Sequence, residues 1–163
     1  MAHPARAVPI PADSLLHAAL PRIDHRDAFA VRLPPGAGTD PVEWTRRLFT
    51  RPPGWTRRLM RLRDALVRPF GLGTRDRSSL TPFPQLATTD HEVVFGRDDR
   101  HLDFRSSVHL ADGVLTLGTV VRYRNLLGRA YFLPVRPFHR RVVRALLRRA
   151  AAGGLNHPPR DRG

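Results

Sequence analysis

A series of short β-type segments joined by turns constrains the fold of this 163-residue chain more than any other feature. Four segments rich in β-branched and aromatic residues follow one another, namely HEVVFG (91–96), HLDFRSSVHL (101–110), VLTLGTVVRYR (114–124) and GRAYFLPVRPF (128–138). The pair Asp112-Gly113 between two of them is a strong tight-turn signal. Because such short connections join antiparallel neighbours, we expect a meander of about four strands.

Helical patterns lie on both sides of this meander. After a first strand in DAFAVRLP (27–34), Asp40 and Pro41 have the residue types of an N-cap and a first helical position. They open the helix PVEWTRRLFT, and apolar residues at helical spacing from Trp55 to Leu66 predict a second helix. FHRRVVRALLRRAAAGG (138–154) is a longer amphipathic helix.

This order of elements predicts an α+β protein. One face of the sheet needs a cover, and the C-terminal helix is the long element left to supply it. The expected fold is therefore a helix-grip, or START-like, arrangement: a curved antiparallel sheet, two short helices after the first strand, and a long C-terminal helix with a cavity beneath it. We expect a flexible N-terminal extension at 1–20, a single START-like domain at 21–152 and a disordered tail at 153–163.

The charge of the chain is strongly basic and unevenly distributed. The formal net charge is +14, and all 28 basic residues are arginine. An absence of lysine beside many Ala, Pro and Gly residues indicates a codon bias toward G and C. No Asp or Glu occurs between Gly113 and Arg160, so an Arg-driven binder of nucleic acid or of an anionic membrane surface is one alternative function.

Several classes of protein are disfavoured by what the sequence lacks. There is no cysteine, which excludes disulfides and thiolate chemistry. No apolar run has the length of a signal peptide or of a membrane span, so we expect a cytoplasmic protein without a transmembrane segment. The sequence contains no nucleophile elbow, phosphate loop or His-Glu-x-x-His motif. We predict no cofactor, and the sequence leaves open whether the protein is an enzyme.

The most charged stretch within the predicted sheet is GRDDRHLDFR (96–105). If Leu102 and Phe104 face the core, the opposite face carries His101, Asp103 and Arg105, and Asp99 is close enough to join them. Alternating Asp and His side chains could hold a metal, but neighbouring arginines would compete with a cation, and we predict none. The alternative is a hairpin tip in which Asp103 pairs with an Arg of the next strand.

A second group of candidates lies further along the chain. Arg129 and Tyr131 would share one face of the last strand, and His139 would stand at the start of the terminal helix, where it could titrate or bind a ligand. Arg105, Arg122 and Arg129 would occupy three successive strands. Facing the aspartates of the first strand, they would form an ion network that either fixes the register or binds an anionic head group.

Four segments together resemble a known family. RIDHRDAF, RLRDALVRPFGL, VVFGRDDRHLDFR and GRAYFLPVRPFHRRVVRALLRR occur in this order and are similar to the uncharacterised bacterial family domain of unknown function 2867. The resemblance covers residues 20 to 150 approximately. It implies the START-like fold but no established activity and no catalytic residues. Similar domains also occur fused to dinucleotide-binding domains, whose Gly-x-Gly-x-x-Gly signature this sequence does not contain.

The function predicted from these observations is the binding of a small, largely apolar or amphipathic molecule between the sheet and the terminal helix. Polar side chains would orient the ligand, and they are Asp99, His101, Asp103, Arg105, Arg122, Arg129, Tyr131 and His139. An enzyme that uses the His/Asp/Arg cluster is the second alternative, beside the Arg-driven surface binder. The sequence does not specify an oligomeric state.

Overall fold

The computed structural model describes residues 4–50, 54, 81 and 83–153. The described residues form one antiparallel sheet of six strands in the order β1-β2-β6-β5-β4-β3. The strands are β1 (Arg6–Ala7), β2 (His25–Arg32), β3 (Gln85–Thr88), β4 (Glu92–Arg97), β5 (Leu102–Ala111) and β6 (Val114–Tyr123). A 3₁₀ helix (Leu15–Ala18) and the α-helices α1 (Pro41–Thr50) and α2 (Leu126–Gly153) complete the described elements. The predicted α+β class is confirmed, and the arrangement is consistent with a helix grip.

The hairpin between β5 and β6 is formed as the sequence predicts. Ala111 pairs with Val114 across the two-residue turn. Asp112 and Gly113 both have positive φ, 51° and 69°, which the type I′ turn requires and which Asp and Gly tolerate. The turn fixes the register of the two longest strands in the described sheet.

Helix α1 also begins where the sequence indicates. The Asp40 carboxylate accepts a hydrogen bond from the backbone N–H of Val42 at 2.8 Å, and Pro41 occupies the first helical position. Trp44 and Leu48, one turn apart, are each 1% exposed. This helix therefore buries one apolar stripe against the sheet. The second predicted helix, from Trp55 onward, lies outside the described residues.

The C-terminal helix corrects one prediction. Residues 128–138, expected as a fourth strand of the meander, belong to α2, whose Leu126–Gly153 span includes Pro134 and Pro137. Asn125 marks the start of the helix, because its side-chain oxygen accepts the N–H of Gly128 at 3.0 Å. The prolines lie in the exposed part of the helix, where water can satisfy the carbonyls they leave unpaired.

Both faces of the sheet are covered. On one face, α1 and α2 pack on alternate strand residues, with Phe29, Val108 and Leu147 in the main core. On the other face, a smaller cluster joins Leu16 and Leu20 to the sheet. Continuous burial from residue 115 to 121 along β6 reflects this double cover.

The described part of the expected N-terminal extension contributes to this second cover. Residues 6 and 7 pair with β2, and Leu16 is fully buried. Ser14 caps the 3₁₀ helix by accepting the N–H of Leu16 at 3.2 Å. Residues 4–20 are thus packed rather than extended away from the domain. The tail from 154 to 163 lies outside the described residues, so its expected disorder stays a prediction.

Candidate functional site

The site begins with the alternation of β2. His25 pairs with Val121 and Asp27 with Thr119 of β6. Both share the face of Phe29, which belongs to the core beneath α2. The sheet therefore presents two ionisable side chains to the C-terminal helix at one end of the core.

A pocket of about 380 Å³ opens at this end, between the sheet and the first half of α2. Its lining comes from the start of β2, the end of β6 and α2, and consists of Asp24, His25, Tyr123, Arg129, Leu133 and Arg136. A second pocket of about 300 Å³ shares Asp24, Tyr123 and Arg129 with it. Because they share these residues, the two pockets adjoin along the helix.

Phe132 forms the base that holds this region together. It is 7% exposed, and its ring lies 4.9 Å from the ring of His25 and 5.8 Å from that of Tyr123. Packing of Phe132 thus sets the distance between α2 and the sheet, and it keeps His25 and Tyr123 in the wall of the pocket.

The pocket carries unbalanced positive charge. Asp24 accepts hydrogen bonds from Arg22 at 2.9 and 3.1 Å and from the backbone N–H of Tyr123 at 2.8 Å. In the part of the chain that the structure describes, no carboxylate lies within ion-pair distance of Arg129 or Arg136. Burial and the charge of Asp24 raise the pKa of Tyr123, which keeps its hydroxyl protonated as a donor.

Beside the pocket, Asp27 is surrounded by cationic and imidazole groups. Its oxygens lie 3.4 Å from His25 Nε2, 3.5 Å from His139 Nε2 and 4.0 Å from Arg140 Nε. Burial raises the pKa of Asp27, but His139 and His25 outweigh this and bring it well below its usual range. The carboxylate is therefore charged and can orient His25, so the arrangement could move a proton at the pocket.

His139 lies within α2, and not at the start of the terminal helix as predicted. Its Nε2 is buried and forms no hydrogen bond within the described residues. The contact with Asp27 is thus electrostatic. Asp27 joins two imidazoles that the sequence separates by more than a hundred residues.

Asp103 lies outside the pocket, in a separate network of hydrogen bonds and ion pairs. It is 1% exposed and accepts two hydrogen bonds from Arg124 Nε, at 2.8 and 2.9 Å, while Arg122 Nε lies 3.9 Å away. The Asp99 backbone N–H also donates to it, at 3.2 Å. The hydrogen bonds that Arg124 donates to Asp103 raise the pKa of Arg124. An ion pair between Asp103 and an Arg of the next strand was the predicted alternative to a ligand role, and Arg122 of β6 lies at ion-pair distance.

The rest of the 96–105 stretch is a hairpin with local pairs. Arg105 forms an ion pair with Asp98 at 2.7 Å and does not join Asp103. His101 Nδ1 lies 3.1 Å from the Asn125 amide nitrogen. Leu102 and Phe104 do face the helix side, yet they are only half-buried, whereas Asp103 on the opposite face is buried. We expected one apolar, buried face and one polar, exposed face in this strand. That expectation is wrong because both faces of the sheet are covered.

The predicted grouping of Arg129 with Tyr131 is wrong in its geometry. Both lie on α2 and not on a strand, so residues two positions apart point in different directions. Arg129 instead shares its helix face with Leu133 and Arg136, at i+4 and i+7. For the same reason Arg105, Arg122 and Arg129 do not occupy three successive strands.

A family model described as Protein of unknown function (DUF2867) matches residues 19–146. The chain belongs to this family. No curated protein and no solved structure matches the chain. The match to DUF2867 contains the whole lining of the larger pocket together with Asp27 and His139. Among the described residues, no helix is long and apolar enough to cross a membrane.

Six residues of the DUF2867 pocket region were not among the site residues predicted from sequence, and they are Asp24, His25, Asp27, Tyr123, Leu133 and Arg136. The signal for two of them was present. His25 and Asp27 continue, in steps of two, the alternation of Phe29 and Val31. Arg136 could be found only once residues 126–138 were read as a helix.

Proposed function

We propose that this DUF2867 protein binds a small amphipathic anion in the pocket between β2, β6 and α2. The observation that carries the proposal is the pair Arg129 and Arg136, two guanidinium groups that line one pocket without a carboxylate partner among the described residues. Guanidinium groups recognise carboxylate, sulfonate and phosphate groups through charge-assisted hydrogen bonds.

The remaining lining supports an amphipathic rather than a purely polar ligand. Leu133 lies between the two arginines on the same helix face and is 65% exposed. The ring of Tyr123 adds a second apolar surface, and its hydroxyl and the His25 ring add donors. The sequence predicts a largely apolar ligand. The lining favours a more specific one, which has a short apolar body and one anionic group.

The pocket volume sets the size of the ligand. About 380 Å³ lies at the lower end of the range for small-molecule sites. A ligand of about ten non-hydrogen atoms fits such a volume. Placement between the sheet and the terminal helix also agrees with the predicted START-like fold, for which a cavity is expected at this position.

Isothermal titration with sodium octanoate, and with 1-octanol as its uncharged counterpart, tests the proposal. We expect octanoate to bind more tightly than octanol. Arg129→Gln and Arg136→Gln should each weaken octanoate binding roughly tenfold, because a hydrogen bond to a charged group contributes about 1.5–3 kcal/mol. Arg148→Gln is the matched control, since Arg148 is exposed on the same helix and does not line the pocket.

The other predicted functions have distinct outcomes in this experiment. Equal affinity for octanoate and octanol, or an equal loss in all three variants, would overturn the proposal. A general loss with steep salt dependence would indicate the Arg-driven surface binder instead. Native mass spectrometry of the purified protein would identify a natural ligand. A change in the mass of that ligand during incubation with the protein would indicate the enzyme alternative.

A further inference from the structure

Three potential metal ligands lie together on the face of the sheet opposite α2. His109 Nε2 lies 3.2 Å from both carboxylate oxygens of Asp13, and His91 Nε2 lies 3.6 Å from one of them. One ligand atom from each residue lies within 4.8 Å of the others. This cluster shares no residue with the pocket.

The fold brings these residues together by two independent contacts. Glu92 of β4 pairs with His109 of β5, which places the preceding His91 beside it, with ring centroids 5.3 Å apart. Glu92 is fully buried and accepts hydrogen bonds from the Ser14 hydroxyl at 2.6 Å and the Leu15 N–H at 2.8 Å. The same buried carboxylate therefore holds the chain next to Asp13 against the two histidines.

The two separations from Asp13 match a metal centre, and all three ligand atoms lie within 4.8 Å of one another. Ligands about 2.1 Å from an ion and about 109° apart at it are separated by about 3.4 Å. The observed separations of 3.2 and 3.6 Å lie on either side of this value. Two imidazoles with one carboxylate form a donor set suited to zinc and other divalent transition metals.

We propose that Asp13, His91 and His109 bind one divalent metal ion, either zinc or a transition metal of similar ligand preference. The His109 side chain is 4% exposed, whereas those of His91 and Asp13 are 46% and 61% exposed. The ion is thus anchored on the sheet at His109 and reaches solvent on its other side. Water completes its coordination there. Asp13 lies outside the family match of 19–146, so the complete site need not be a feature of the whole family.

Titration of the full chain without an affinity tag, after treatment with a chelator, tests this site with zinc chloride alone. We expect one saturable site, and a visible d–d spectrum when cobalt(II) chloride replaces zinc. His91→Gln and Asp13→Asn should each lower the affinity at least tenfold. Both side chains are substantially exposed, so these variants should keep the fold, which circular dichroism would verify. The buried His109 is less tolerant of substitution, and the test does not depend on a variant at that position.

His17→Gln is the matched control, because His17 is an exposed histidine of the adjacent 3₁₀ helix whose Nε2 lies near the Pro11 carbonyl. We expect zinc affinity unchanged in this variant. Absence of saturable binding, or the same affinity in His91→Gln and Asp13→Asn as in the unaltered chain, would overturn the proposal. Either result would mean that the cluster is an Asp–His ion-pair group only. Octanoate binding in the pocket is a separate readout and is unaffected by these variants.

Discussion

At the scale of single residues, the position of Asp27 depends on its neighbours. An unpaired carboxylate with 8% side-chain exposure would be costly to bury. His25, His139 and Arg140 surround it within 4.0 Å, so the charged form is retained. The same arrangement orients His25 at the pocket wall. Stability and the candidate site therefore depend on one side chain.

Replacing Asp27 with Asn should reveal this coupling as a pH dependence. The folded-state pKa of Asp27 is lowered, whereas its unfolded value is about 3.9. Its contribution is therefore complete above pH 4 and is lost as the pH falls toward the lowered folded pKa. We expect Asp27→Asn to reduce the free energy of unfolding by about 1–3 kcal/mol at pH 7, with the difference shrinking below pH 4.

Urea unfolding between pH 3 and pH 7 measures this difference. Asp112→Asn, at an exposed turn position where Asn also tolerates positive φ, controls for the loss of one carboxylate. A difference between Asp27→Asn and the unaltered protein that is constant over this pH range would contradict the assignment.

At the scale of secondary structure, α2 shows why a local pattern was misleading. Residues 128–138 contain Tyr, Phe and Val and two prolines, a composition that favours an edge strand over a helix interior. The helix forms nonetheless, because Asn125 caps it and Phe132 packs against His25 and Tyr123. Tertiary packing outweighs the local preference.

Gly128 gives a test of this docking. A Cβ at this position would overlap the backbone carbonyl of His101, which already accepts the N–H of Arg124 at 2.9 Å. We expect Gly128→Ala to reduce the free energy of unfolding by about 1–3 kcal/mol, although Ala is the better helix former by about 1 kcal/mol.

Gly153→Ala is the matched control for thermal unfolding, because an added Cβ there meets nothing within 4 Å. We expect that variant to be neutral or slightly stabilised. A stabilised Gly128→Ala protein would mean that the start of α2 does not pack on His101.

At the scale of the whole molecule, the sheet is a middle layer rather than a surface. Helices cover one face, and the residues before β2 cover the other. Leu16 of the 3₁₀ helix lies against Gly118 of β6, where an added Cβ would come within 2.8 Å of Leu16 Cδ1. Absence of a side chain at Gly118 thus makes room for the N-terminal cover.

Leu16→Ala should therefore destabilise the whole domain. We expect a loss of about 2–5 kcal/mol in the free energy of unfolding, the usual cost of removing a fully buried leucine. Leu15→Ala is the matched control in chemical denaturation, since Leu15 is 42% exposed. A loss in Leu16→Ala no larger than that in Leu15→Ala would mean that residues 4–20 behave as the flexible extension expected from sequence.

The sequence alone determined the elements whose signals are local. Asp112-Gly113 specified the β5–β6 hairpin, Asp40-Pro41 specified the start of α1, and the alternation along β2 specified that Phe29 and Val31 share one face. Turn chemistry, capping and side-chain periodicity act within a few residues. The α+β class followed from their order. Asp103 was correctly placed with an arginine of the next strand as one of two alternatives.

Only the tertiary structure decided which residues meet. It extended α2 back to Leu126, paired Asp27 with His139, and brought Asp13 to His91 and His109. These contacts join segments that are distant in the chain, and their energy comes from burial and charge pairing that exist only after folding. Of the eight predicted site residues, Arg129 alone lines the larger pocket. Reading 128–138 as a strand assigned its side chains to the wrong faces, and the five predicted residues between 99 and 122 lie in or beside β5 and β6, outside the pocket lining.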